Sequence, residues 1–235
     1  MERGKFGQAV DFCEGRGYTE NNEKWEEQKM ISLLQMDISE GELLFADDFP
    51  TGPITDRWEV SGGEWTARDG VLTGVFRGNG GGLIYSNRQY PGDILMDFYG
   101  TMIPPCDNDL NFTFRADGWD YAKNDASVGY IGGLNGWWTK QAGLERYPGC
   151  MPRVLGGFRG EAGREYHVQT GIVDSTCFLA VDGKVEVSLT DSDPITAEGC
   201  ARVGLGVYCS QIAFRKFRLY RAVKTDVFRE YTPLF

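Results

Sequence analysis

The feature that most constrains this 235-residue chain is a succession of short period-two runs, each cut off by a glycine- or proline-bearing turn. In Asp109–Arg115, Leu110, Phe112 and Phe114 point to one side, and Asp109, Asn111, Thr113 and Arg115 to the other. That alternation is the geometry of a strand with one face buried. Runs of the same kind recur as VLTGVF, LIYSNRQY, DILMDFYGTM, EYHVQTGIV, TCFLAV, KVEVSL, RVGLGVY and IAFRKFRLYR. Between them stand Asp69-Gly70, Pro91-Gly92 and Asp182-Gly183. An Asp-Gly pair between alternating runs is a hairpin signal, because both residues accept the left-handed backbone of a tight turn. The glycines of residues 78–82 precede a strand and not a helix, so they read as a loop and not a phosphate cradle. With no fixed-period repeat, the expectation is all-β: an antiparallel sandwich or jelly roll.

The ends read differently. Asn22 can cap a helix running to Met36, with Glu23, Glu26 and Glu27 in its first turns and Trp25, Ile31 and Leu34 as an apolar stripe. The sequence therefore divides into an N-terminal extension with one helix (1–40), the β-sandwich (41–222) and an aromatic tail (223–235). Free tails seldom keep three aromatics such as Phe228, Tyr231 and Phe235, so the tail is expected to dock on its own domain or a neighbour. The helix and tail are the contact candidates for a homo-oligomer.

A formal charge of −10 argues against nucleic acid and against anionic membranes, both of which ask for basic surfaces. No apolar run approaches the roughly 20 residues of a spanning helix. The opening MERGKFGQAVDF has no apolar signal-like core, which makes a cytoplasmic protein with reduced thiols the expectation. Parity of the six cysteines leaves disulfides open, but none is spaced as CxxC, and a single histidine argues against a zinc cluster. Asp107, Asp109, Asp117, Asp120, Asn124 and Asp125 offer oxygens that would suit Ca²⁺, without the D-x-D-x-D-G spacing of a calcium loop. No other cofactor is implied.

The chemistry-bearing stretch is 107–148. Its polar strand face carries Asp109, Asn111 and Arg115, and beyond it lie Trp119, Tyr130, Trp137, Trp138 and Glu145. Aromatic faces beside planar amides and carboxylates are what a sugar needs, since its C–H faces stack and its hydroxyls require donors and acceptors. The plainer reading is a core strand whose tryptophans cap the sheet edge. His167 and Gln169 share a strand face, and Arg88 projects from another strand. If these faces met, His167 would be a base, Arg115 an oxyanion or carboxylate partner and Glu145 an acid. Tyr130 is an alternative acid, and Asp109, Asn111, Gln169, Tyr130, Trp137, Trp138 and Arg88 would hold the substrate. The alternatives are a half-buried structural histidine, an Arg115–Asp109 pair and a solvated Glu145.

Several segments carry a family resemblance. These are the Trp65/Asp69-Gly70 hairpin, the strand after Tyr90-Pro91-Gly92, NDLNFTFR, Val181-Asp182-Gly183-Lys184 and the closing GLGVY…IAFRKFRLY. From Leu43 to Arg221 they resemble the concanavalin A-like lectin/glucanase jelly rolls, and within these the domains grouped with 3-keto-disaccharide hydrolases. Lys216 stands where the latter usually have Asn. The resemblance implies a carbohydrate ligand held in a concave-sheet cleft. It implies either cleavage of a glycosidic bond, by a 3-keto-glycoside hydrolase or lyase, or lectin-like binding without turnover. The E-x-D-x-(x)-E strand of the glucanases is absent, as is the Gln-Ile-His of jelly-roll alginate lyases. Retaining hydrolysis needs two carboxyls about 5 Å apart, and no strand presents such a pair.

Overall fold

A computed structural model describes residues 30–229 of the chain. Eighteen strands follow one another, and no helix occurs among the described residues. The first six are β1 (Ile31–Ser32), β2 (Met36–Asp47), β3 (Trp58–Ser61), β4 (Glu64–Arg68), β5 (Val71–Val75) and β6 (Gly81–Ser86). Next come β7 (Ile94–Met102), β8 (Leu110–Ala116), β9 (Trp119–Asp120), β10 (Asp125–Ala126), β11 (Gly129–Gly136) and β12 (Gln141–Tyr147). The last are β13 (Arg153–Leu155), β14 (Glu165–Val173), β15 (Thr176–Val181), β16 (Lys184–Thr190), β17 (Arg202–Tyr208) and β18 (Gln211–Asp226).

They form two antiparallel sheets and one small ribbon. The nine-stranded sheet runs β1-β2-β18-β7-β14-β15-β16, with β5 on the first half of β18 and β4 on β5. The seven-stranded sheet runs β13-β12-β11-β8-β17-β6-β3. The ribbon β9–β10 stands apart. The Asp-Gly signals hold: Asp69-Gly70 and Asp182-Gly183 both have positive φ (50° and 83°, 50° and 82°) in tight hairpin turns.

The core fills the space between the sheets. Phe112 and Phe114 of β8 meet Phe98 of β7 and Phe214 and Phe217 of β18, and all five are fully buried. Phe98 and Phe112 touch edge to face across the sandwich, centroids 6.1 Å apart. Burying such a ring contributes on the order of 1.5–3 kcal/mol. At one end, buried Asp47 accepts hydrogen bonds from the Trp58 indole (2.7 Å), Arg57 Nε (2.8 Å) and the Phe49 backbone N–H (2.8 Å). Three donors satisfy a carboxylate that would otherwise be costly to bury.

Two expectations about the ends need correction. Residues 30–36 are not the end of a helix: Ile31–Ser32 pairs with Asp37–Ile38 as a hairpin, and β2 crosses the expected boundary at residue 40. Ile31, Leu33 and Ile38 pack on Leu95, Phe178, Ala180 and Ala222, a second apolar cluster on the outer face of the nine-stranded sheet. Sheet pairing at that edge outweighs the local helical preference of this stretch. The start of the expected helix, Asn22 and Trp25, lies outside the described residues. At the other end Val223–Asp226 continues β18 against Ser39–Met36, so the expected tail begins as a strand. The tail does dock on its own domain as far as it is described, since the Val227 N–H donates to the Gln35 carbonyl and Arg229 pairs with Asp37. Phe228, however, is 91% exposed, and Tyr231 and Phe235 fall outside the described residues.

Candidate functional site

Because Leu110, Phe112 and Phe114 face the core, β8 turns Asn111 and Thr113 to the outer face of the seven-stranded sheet. Register extends this into rows across the sheet. One row runs Leu83, Gly206, Asn111, Gly133, Gly143, Leu155. The next runs Tyr85, Gly204, Thr113, Ile131, Glu145, Arg153. The glycines of the first row make room for neighbours. A Cβ on Gly133 would strike Asn111 Oδ1, and one on Gly143 would lie 2.8 Å from the Trp137 ring. The amide and the indole therefore occupy space that side chains at these two positions would fill.

Over these rows lies an open cleft of about 740 Å³. Leu83 and Ile131 contribute to its floor, packed with Tyr85, Ala116, Trp119 and Ala126, so the β9–β10 ribbon closes one side. Trp137 and Trp138 form another side, both with left-handed backbone (φ 57° and 59°). Trp137 is half-buried, whereas Trp138 is 93% exposed and stands out as a platform. Tyr147, Cys150, Tyr208, Asn108, Lys123 and Lys140 complete much of the lining.

The charged groups are arranged in pairs. Glu145 is buried and meets Arg153 Nε at 2.6 Å, its direct neighbour in register. Lys140 meets Asp107 at 2.5 Å. Asp109 differs: its partners are the side-chain amides of Asn108, 2.7 Å away, and Asn111. Burial pushes its carboxyl up to about 6, and the two amide bonds only partly oppose the shift. Burial, then the charges of Glu145 and Asp125, likewise push up the Tyr147 phenol.

Of the residues expected to form one cleft, the fold brings together Asp109, Asn111, Glu145, Trp137 and Trp138. It separates the others. His167 and Gln169 lie on β14 in the opposite sheet and face away from the core. There His167 Nε2 lies 2.8 Å and Gln169 Nε2 2.9 Å from the same Asp97 oxygen. Tyr99 stacks on the imidazole at 4.8 Å. Two sheets about 10 Å apart stand between this group and the cleft, so His167 is no base for a substrate at Asn111. Arg115 leaves the row because β8 bulges there (φ 51°, with a register shift against β17). Its charge acts on the core thiol Cys177, and its buried Nε has no partner. Tyr130 is a core residue whose hydroxyl donates to Asp191 (2.7 Å) and accepts from the Ile195 N–H (3.2 Å). Arg88 is exposed in the turn after β6, outside the lining.

Sequence reasoning missed Tyr147, Arg153 and Tyr208. The alternation Glu145–Tyr147 would have placed Tyr147 beside Glu145, but Arg153 sits on a strand of only three residues, too short to signal itself. The acidic loop residues do not converge on an ion. Asp117 accepts from Ser127 and the Val128 N–H, Asp120 from Lys123, and Asp125 from the Ala126 N–H. Among the described residues no three His, Cys, Asp or Glu side chains gather as a metal site, and five free cysteines are seen.

No protein-family model matches the chain, and no curated protein matches it in sequence. Solved structures do share its fold. A Bacillus subtilis protein of unknown function with a galectin-like fold superposes with a TM-score of 0.59 at 12% identity, covering 79% of this chain and 99% of that one. The carbohydrate-binding module CBM66 of Bacillus subtilis gives 0.52 at 15% identity over 69% and 94%. The β-glucanase of Bacillus licheniformis gives 0.51 at 12% identity over 77% and 98%. The chain therefore shares the β-sandwich fold of these three structures.

Proposed function

We propose that this protein binds a carbohydrate in the cleft on the outer face of its seven-stranded sheet. The observation that carries the reading is the convergence of Asn111 and Asp109 with the Trp137–Trp138 wall in one open volume. Indole faces take up the C–H surface of a pyranose, and the amide and carboxyl match its hydroxyls. That the shared fold also serves a carbohydrate-binding module and a glucanase supports the reading without fixing the ligand.

Binding is favoured over cleavage. Elimination from a 3-keto-glycoside or a uronate would need a base beside Arg115 and Glu145, and His167 is on the other sheet. Asp109, with its raised carboxyl, has the character of a general acid. The other carboxylate that the sheet itself presents to the cleft is Glu145. Four residues along and two strands across separate the two, roughly 16 Å by strand geometry. Glycosidases hold their carboxyls about 5–9.5 Å apart.

The test is a titration of oligosaccharides, neutral and charged, read by tryptophan fluorescence and calorimetry. Saturable binding that Trp137→Ala or Asn111→Ala weakens about tenfold is expected. Absence of binding across the series, or affinities indifferent to both substitutions, would overturn the proposal. Release of new reducing ends during incubation would overturn the preference for binding over cleavage.

A further inference from the structure

The cations of the cleft are already neutralised. Lys140 is held by Asp107, Arg153 by Glu145 and Lys123 by Asp120 at 2.5–2.7 Å. Two lining carboxylates have no such partner among the described residues. Asp125 is exposed and accepts from the Ala126 N–H. Asp109 is half-buried, with amides for company and the Tyr208 ring near enough to feel its charge. The lining thus carries four carboxylates against three lysines and arginines, and the imbalance falls on the side chain least able to use water.

A carboxylate stripped of water and given no cation gains most from a ligand that brings one. A sugar hydroxyl brings the carboxylate a hydrogen bond alone, whereas an ammonium brings a hydrogen bond and the opposite charge. The surrounding aromatic faces also attract ammonium groups. A uronate would find no uncommitted cation, and the net charge of −10 would slow its approach.

We propose that the cleft is selective for amino sugars, with Asp109 receiving the ammonium of a hexosamine whose ring lies against the tryptophan wall. This rests on the carbohydrate reading above and names its ligand class. The same lining disfavours uronates, in keeping with the absent Gln-Ile-His of the alginate lyases.

The experiment compares glucosamine oligomers, their N-acetylated counterparts, cello-oligosaccharides and oligouronates of equal length, titrated into the full chain at pH 7. Glucosamine oligomers are expected to bind at least tenfold more tightly than the N-acetylated series, and oligouronates most weakly. In Asp109→Asn that tenfold ratio should fall below two. Asn tolerates the left-handed backbone at this position (φ 55°), and circular dichroism is to check that the variant is folded. The wild-type ratio is itself decisive without any variant. Equal affinity for amine and N-acetyl oligomers, or tightest binding of uronates, would overturn the selectivity and leave the carbohydrate reading intact. Binding of none of the four would overturn both. A ratio that survives Asp109→Asn would overturn the role given to Asp109.

Discussion

The two outer faces of this sandwich are built by the same alternation and end in opposite conditions. On the nine-stranded sheet, the polar row closes on itself: Asp97 takes both His167 and Gln169, and Tyr99 covers the imidazole. Beside it the β1–β2 hairpin lays Ile31 and Leu33 over Leu95 and Phe178. On the seven-stranded sheet, the β9–β10 ribbon covers only the Leu83 and Tyr85 end of the rows, and Asn111 and Asp109 face an open volume beside it. A polar row that satisfies itself under a cover contributes to stability. A row left facing solvent, walled by tryptophans, is available to a ligand.

That contrast can be broken at its common support first. Phe112→Ala should cost about 3–5 kcal/mol, because the ring fills the layer both faces rest on. Urea unfolding would show this, and a smaller loss would mean that the core relaxes. Next, Asp97→Ala leaves the buried Gln169 amide and the part-buried His167 ring without their acceptor and should destabilise by about 2–3 kcal/mol. His167→Ala should cost roughly 1 kcal/mol, the net worth of one hydrogen bond. Neither should change sugar affinity more than twofold. Titration of His167→Ala sharpens the contrast, since a collapse of binding would put the closed face in the site after all. The converse is Trp137→Ala, expected to weaken binding tenfold, about 1.4 kcal/mol, while moving Tm little.

A pH dependence completes the set. Asp109 titrates at about 6 in the fold and at its ordinary 3.8 when unfolded. The folded state therefore holds that proton more tightly. The resulting stabilisation is complete below about 3.8 and is lost as pH rises to about 6. Asp109→Asn escapes the loss, so its Tm relative to the unsubstituted protein should climb by several degrees between pH 4 and pH 7. A difference flat with pH would show that Asp109 is well hydrated.

Much of the sandwich was legible because its signals are local. Asp182-Gly183 between TCFLAV and KVEVSL specifies a hairpin with no help from the rest of the chain. Asn111 was legible for the same reason, since Leu110 and Phe112 on either side set the phase of the strand. The phase failed at Arg115, where a bulge adds a residue that no pattern announces. It failed again at Tyr130, because Gly129, Gly132, Gly133 and Gly136 leave β11 few side chains from which to read a period. The partition of His167 from Asn111 was out of reach altogether. Both strands alternate polar and apolar residues, and which sheet each joins is decided by pairing with distant partners, β7 for one and β17 for the other. The helix expected to end at Met36 gave way for a related reason: an open sheet edge is visible only in three dimensions.

The pairing of β2 with β18 has a mechanical side. The two strands are antiparallel, and the ladder begins at Met36 opposite Asp226. A force applied at these two positions loads the same end of the ladder, so its hydrogen bonds are taken one at a time and not in parallel. The sheet would peel from that corner at low force, starting where Asp37 and Arg229 pair at 2.6 Å. The first strands lost belong to the nine-stranded sheet. The cleft, built on the other sheet, would feel the pull only after the shared phenylalanine core gave way.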